Sequence, residues 1–186
     1  MNAHQQRHGI NHHNNKRCGG TVQEFTNTQQ YSQPVDQVLA RYTDPDFLIE
    51  KYRQMAREEI TLIEHSLEGD QARLCLRYYN INNFDLPSFA RKFVSDRTLV
   101  TQTAEWQLAE RLGQLFIEPK GAPARMTARM QLSDNGAGGC INRIQWQVSC
   151  SVPIVGGKLE KLMIDNLRDK AAEDESITQA LLDRLA

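Results

Sequence analysis

The sequence has few of the features that define the more specialised classes of protein. No stretch of its 186 residues approaches the roughly 20 consecutive apolar residues that a membrane-spanning helix needs. Its formal net charge is −1, so it lacks both the basic surplus typical of nucleic-acid binding and a strong attraction for anionic membranes. Hydrophobic residues make up 40% and charged residues 24%. These values are close to the globular average and predict that most of the chain folds.

Cysteine is scarce and scattered. The four cysteines are Cys18, Cys75, Cys140 and Cys150, and no two of them have the spacing of a zinc knuckle or a redox motif. Cys140 and Cys150 fall in one predicted strand, too far apart for a disulfide bond. The N-terminus also lacks the apolar core of a signal peptide. We therefore expect free thiols and a cytoplasmic location.

Residues 1–20 differ in composition from the rest. They contain no carboxylate, almost no apolar side chain, and many Asn, Gln and His residues. Such a segment cannot bury enough surface to offset its ordering entropy, so we expect a disordered tail followed by one domain over residues 21–186. The tail holds four closely spaced histidines, but a flexible segment offers no preformed geometry for a metal. We expect neither a metal nor another cofactor.

The hydrophobic pattern predicts one strand, two short helices, six strands and a long helix. Residues 21–31 favour a strand. A first helix is indicated by apolar residues at i, i+3, i+4 and i+7, namely Val35, Val38, Leu39 and Tyr42. Asp44 and Pro45 are typical of the cap and first residue of a second helix.

Six further strands are predicted at residues 60–67, 72–79, 98–108, 111–118, 125–132 and 139–152. Several alternate between apolar and polar residues, as an antiparallel sheet covered on one face requires. Residues 158–185 have helical periodicity and would span about 40 Å, enough to cross seven strands. The fold class is therefore α+β, with a curved antiparallel sheet of about seven strands around a long C-terminal helix.

Two segments suggest a family. One is Pro34-Val35-Asp36-Gln37-Val38 leading to Tyr42-Thr43-Asp44-Pro45-Asp46-Phe47, and the other is Val152-Pro153-Ile154-Val155-Gly156-Gly157-Lys158-Leu159-Glu160. With the element order, they resemble the START-like or helix-grip superfamily (birch-pollen-allergen-like, SRPBCC). Within it they resemble a bacterial family, domain-of-unknown-function family 2505. The segment Leu86-Pro87-Ser88-Phe89 also resembles the middle region of that family. The resemblance implies a cavity between sheet and helix that holds an apolar molecule in relatives. It implies no catalytic residue.

Strand parity places large apolar side chains on the face toward the helix. Those in strands are Leu74, Leu76, Tyr78, Val100, Trp106, Phe116, Met126, Met130, Ile144, Trp146 and Val148. Those in the long helix are Leu162, Met163 and Leu167. Aromatic and Met side chains suit an adaptable apolar pocket. The expected partner is a hydrophobic small molecule or lipid, and the alternative is that these residues fill the core.

A segment without clear periodicity separates two of the strands. It contains Phe84, Leu86, Phe89 and Phe93. Three hypotheses follow for this segment. It forms a lid or mouth over the cavity, it forms a short helix that plugs one end of the core, or its side chains make transient contact with a membrane.

The sequence contains no recognisable set of catalytic residues. His65 is the only histidine outside the tail, and no Ser-His-Asp or Cys-His set can be assembled around it. Gly156-Gly157-Lys158 lacks the earlier glycine and the following Ser or Thr of a phosphate loop, so we expect a turn into the helix. Candidate polar groups near the inner face are Glu64, Gln102, Glu105 and Asn142.

The leading hypothesis is a cytoplasmic domain that binds or carries a hydrophobic ligand and has no nucleic-acid partner. One rival is a cyclase- or hydrolase-like enzyme that uses the same cavity, which requires an inward carboxylate or histidine. The other is a protein-interaction module with a filled core and an exposed apolar patch. Nothing in the sequence specifies an oligomer.

Overall fold

The order of elements agrees with the sequence pattern. The structure, a computed structural model, describes residues 22–81, 87–93 and 95–185. The predicted tail, residues 1–20, lies outside these ranges. The elements are β1 (Gln23–Tyr31), α1 (Val35–Tyr42), α2 (Pro45–Gln54), β2 (Glu58–Glu68), β3 (Gln71–Ile81), β4 (Arg97–Gln107), β5 (Leu112–Pro119), β6 (Ala124–Asp134), β7 (Cys140–Cys150) and α3 (Gly156–Arg184).

The strands form one curved sheet in the order β1-β7-β6-β5-β4-β3-β2, and every neighbouring pair is antiparallel. The three helices lie on its inner face, so the predicted α+β class is confirmed. None of the helices in the described ranges is both long and apolar enough to cross a bilayer.

The two short helices form where their sequence signals place them. In α1 the buried residues are Val35, Val38, Leu39 and Tyr42, the predicted stripe. α2 begins with Pro45, and the Asp44 carboxylate accepts a hydrogen bond of 3.0 Å from the Asp46 backbone N–H. This satisfies one of the free donors of the first turn.

The entry into α3 is a sharp turn. Ile154 has a φ of 70° and is fully exposed, although a β-branched residue rarely adopts this left-handed conformation. At Gly156, the first residue of α3, an added Cβ would lie 3.1 Å from the Cys150 carbonyl oxygen. The Gly156-Gly157-Lys158 segment therefore serves a close approach of backbones.

The register of β5 overturns one expectation. Phe116 pairs with Thr103 of β4 and Thr127 of β6, which places it on the outer face. Its neighbours Leu115 and Ile117 point inward, and both pack against the main core. The prediction that Phe116 faces the helix was wrong because three consecutive apolar residues give no alternation from which to read parity.

The core is tightly filled at one end of the inner face. The Tyr42 ring stacks on Trp106 with 5.8 Å between centroids, and Tyr31 meets Tyr42 edge-on at 6.4 Å. Trp106 lies so close to β5 that a Cβ on Gly113 would come within 2.9 Å of its ring. The helices α1 and α2 close this end.

A buried polar network joins α2, α3 and β1. Lys51 Nζ lies 2.8 Å from Asp174 Oδ1, and Gln29 Nε2 donates to Asp174 Oδ2 at 2.6 Å. The Tyr31 hydroxyl donates to Gln29 Oε1 at 2.8 Å and lies 2.8 Å from the Tyr42 hydroxyl. Burial acts to lower the pKa of the Lys51 ammonium, but the adjacent Asp174 carboxylate, together with Tyr42 and Tyr52, raises it above its ordinary value. This network fixes the C-terminal half of α3 on the sheet.

Candidate functional site

A cavity of about 630 Å³ lies between α3 and the other end of the sheet. The backbone of α3 runs closest to β1, β7 and α2. Because the sheet curves away from this line of contact, space remains over β3 to β6. The volume falls in the range of pockets that hold small organic ligands.

The deeper wall of the cavity is apolar. It is formed by Val100 of β4, Ile117 of β5 and Met126 of β6, faced by Leu162, Met163 and Leu167 of α3. Val100 is buried and the others are half-buried. Unbranched methionines on both sides can adjust to ligands of different shape.

The predicted cavity residues divide between the two ends of the sheet. The structure brings together Tyr78, Val100, Met126, Leu162, Met163 and Leu167 around the cavity. Five others are buried in the main core instead, namely Leu74, Leu76, Trp106, Met130 and Ile144, and Trp146 packs half-buried against that core. Val148, which pairs with Met126, is fully buried and does not line the cavity. Trp146 also donates from Nε1 to Asn27 Oδ1 of β1 at 3.2 Å. Strand parity identified the face but not the hollow part of it.

A buried tyrosine, Tyr78, forms part of the cavity wall. Tyr78 donates from its hydroxyl to Gln102 Oε1 at 2.8 Å, and Gln102 Nε2 donates in turn to the Tyr52 hydroxyl. The rings of Tyr52 and Tyr78 are 5.3 Å apart. Burial raises the pKa of Tyr78 well above its ordinary value, so the phenol stays neutral at physiological pH.

Residues 87–93, the described part of the segment predicted as a lid, a plug or a membrane contact, lie beside the start of α3. Phe84 and Leu86 fall outside the described residues. Phe89 and Phe93 lie in turns and pack with buried Ala90 against Cys150 and Leu159. Phe93 also lines the cavity, so the described part of the segment contributes to its wall.

Charged residues line the cavity beyond its apolar wall. Arg57 lies between α2 and β2, Arg91 and Lys92 lie between β3 and β4, and Lys120 follows β5. Asp96 is the acidic residue among them. In an antiparallel sheet every second connection lies at the same end, so the connections before β2, between β3 and β4, and after β5 share one end. The predicted strand order could therefore have identified these cations as neighbours from the sequence.

Residues 26–182 match the model of the family described as Protein of unknown function (DUF2505). The chain belongs to the DUF2505 family. No curated protein matches it.

Solved structures share the architecture of this DUF2505 protein. The protein TTHA0849 from Thermus thermophilus aligns with a TM-score of 0.63 and 14% identity, over 88% of this chain and 99% of that one. The Zhui aromatase/cyclase from a Streptomyces species aligns with a TM-score of 0.62 and 9% identity, over 88% of this chain and 95% of that one. Ara h 8.0201 aligns with a TM-score of 0.55 and 8% identity, over 87% of this chain and 98% of that one. These similarities confirm the helix-grip fold and, at such low identity, show the fold alone.

The four polar residues that the sequence suggested near the inner face lie on different faces of the sheet. Gln102 and Asn142 of the DUF2505 protein are buried on the inner face. Glu64 and Glu105 both pair with Arg73 on the outer face. Asn142 donates from Nδ2 to Gln29 Oε1 at 3.2 Å in the filled core and does not line the cavity.

Among the described residues, the cavity lining contains no histidine and one carboxylate. His65 of the DUF2505 protein is exposed on the edge strand β2. Asp96, the carboxylate in the cavity lining, is also exposed. Among the described residues no three His, Cys, Asp or Glu side chains come close enough to hold a metal. The arrangement is suited to holding an apolar molecule and contacting its polar end.

Proposed function

We propose that this protein binds or carries a hydrophobic small molecule or lipid between the sheet and α3. The observation that supports this is the cavity of about 630 Å³ with an apolar inner wall. Burying apolar ligand surface there would contribute roughly 25 cal/mol per Å² before the entropy losses of binding. Tyr78 lines the same cavity, and its hydroxyl is held by a hydrogen bond to Gln102.

The proposal is tested by filling the cavity from one side. Leu162 lines it from α3, so Leu162→Trp would occupy space that the ligand needs. Leu185 caps the same helix at its far end and is exposed, so Leu185→Trp is a matched control. Binding is measured by titration with the neutral fluorescent probe N-phenylnaphthylamine, and co-purified molecules are identified by native mass spectrometry.

The expected result is probe binding by the wild type and Leu185→Trp, with at least tenfold weaker binding by Leu162→Trp. Circular dichroism checks that both variants fold. If a folded Leu162→Trp variant binds as well as the wild type, the cavity is not the binding site. If the wild type binds no probe and carries no co-purified molecule, the ligand-binding function is wrong.

A second candidate is an enzyme acting within the same cavity. Tyr78 favours it, because its buried neutral phenol could turn from Gln102 Oε1 and donate its hydrogen bond to a reacting carbonyl oxygen. Substituting Tyr78→Phe should then abolish turnover of a bound ligand while leaving its affinity largely intact. Equal amounts of unchanged ligand recovered from both proteins would contradict an enzymatic role.

A further inference from the structure

The charged part of the cavity lining is predominantly of one sign. Among the described residues that line it, Arg57, Arg91, Lys92 and Lys120 contribute cations from three separate connections, and Asp96 contributes the one carboxylate. The chain as a whole has a net charge of −1, so this concentration of positive charge is local. A positively charged mouth above an apolar wall attracts anions and holds them there.

Arg57 is the most informative of these cations. Its side chain is half-buried, and the guanidinium carbon lies 5.9 Å from the centroid of the Tyr78 ring. Within the described ranges, no carboxylate lies within 4.0 Å of its nitrogens. By contrast, Arg53 in the preceding helix pairs with Glu50, and Arg97 in β4 pairs with Glu58 and Glu59.

Lys120, directly after β5, is a second cation of the cavity lining without a counterion among the described residues. It is exposed, lines the cavity, and makes no ion pair with the part of the chain that is described. Its backbone N–H donates to the Leu99 carbonyl oxygen at 2.7 Å, which fixes the start of the turn that carries it. Two cations without a counterion among the described residues therefore line one cavity, and a ligand anion would supply the missing charge.

We propose that the ligand is an amphiphile with an anionic head group, a carboxylate or a phosphate. The head group contacts Arg57 and Lys120, and the alkyl or ring portion lies between Met126 of β6 and Met163 of α3. This inference rests on the proposed binding function and specifies the chemistry of the ligand. The planar guanidinium of Arg57 suits a bidentate contact with either type of anion.

Four amphiphiles with one common tail test the head group. Dodecanoate, dodecyl phosphate, 1-dodecanol and dodecyltrimethylammonium are titrated separately by isothermal calorimetry, each below its micelle-forming concentration. We expect both anions, or one of them, to bind at least tenfold more tightly than the alcohol, and the cation to bind most weakly. The ratio of dodecanoate to dodecyl phosphate affinity identifies which head group the site prefers.

Two variants assign the effect to the cavity mouth. Arg57→Gln should weaken anion binding about tenfold and change 1-dodecanol binding less than twofold. Arg53→Gln removes an exposed, ion-paired arginine outside the cavity lining, and it should leave all four affinities unchanged. Raising the salt concentration should weaken the anions selectively.

Equal affinity for all four amphiphiles would overturn the anionic head group while leaving the binding function standing. Tight binding of dodecyltrimethylammonium would overturn it as well. Equal losses for dodecanoate and 1-dodecanol in Arg57→Gln would show that Arg57 supports the structure and not the head group. Failure of the wild type to bind any of the four would remove the proposed function together with this inference.

Discussion

The buried pair between Lys51 and Asp174 gives the sharpest test of what stabilises the fold. The two charged groups are 2.8 Å apart, and their side chains are only 7% and 22% exposed. Removing one partner of such a pair costs about 3–5 kcal/mol, because the other charge stays buried without compensation. The cost should therefore depend on which charge is left behind.

The structure predicts an order for the two single substitutions. Lys51→Met leaves the Asp174 carboxylate, which is partly exposed and still accepts a hydrogen bond from Gln29 at 2.6 Å. We expect a loss of about 2–3 kcal/mol in the free energy of unfolding, below the usual range. Asp174→Asn leaves the more deeply buried Lys51 ammonium without a carboxylate. We expect it to lose about 3–5 kcal/mol.

Urea denaturation at pH 7, followed by circular dichroism, measures both free energies of unfolding. The matched control is Lys161→Met, since Lys161 pairs with Asp165 on the exposed face of α3. That variant should change the stability little or not at all. The reasoning is refuted if Lys51→Met is as harmless as the control, or if Asp174→Asn is the milder of the two buried substitutions.

Three further outcomes are expected, each measured by denaturation. Gly113→Ala should destabilise the fold by about 1–3 kcal/mol, because its Cβ would overlap the Trp106 ring; an unchanged stability would show that the ring can move. Ile154→Asn should stabilise it by about 1 kcal/mol, because Asn tolerates the left-handed backbone better than Ile; a loss would contradict this. Burial raises the pKa of both Tyr31 and Tyr42, so stability should be complete below about pH 10 and fall as the pH rises further. Tyr31→Phe should make that fall shallower, and an unchanged slope would argue against this cause.

Most of the architecture could be predicted from local patterns. The stripe of α1 and the Asp44-Pro45 start of α2 depend on neighbouring residues alone, so the sequence displays them directly. The alternation of β7 likewise identifies its inner face. Phe116 shows where this reasoning ends, because Leu115, Phe116 and Ile117 are all apolar and the pairing with β4 decides which of them points inward.

The position of the cavity could not be predicted in the same way. Ile144 and Met126 have the same parity and similar chemistry, but one packs in the filled core and the other lines the cavity. The difference comes from the path of α3 over the curved sheet, which no short segment of sequence encodes. Arg57 and Lys120 were missed because they lie outside the strands, although the antiparallel order brings their connections to one end.

The separation of the inner face into a filled end and a hollow end has an evolutionary consequence. The aromatic stack on Trp106 and the Lys51–Asp174 pair stabilise the fold at a distance from the cavity lining. Exchanges at Met126 or Met163 therefore alter the shape of the hollow without disturbing these contacts. Members of the family could diverge in what they accommodate while inheriting one unchanged scaffold.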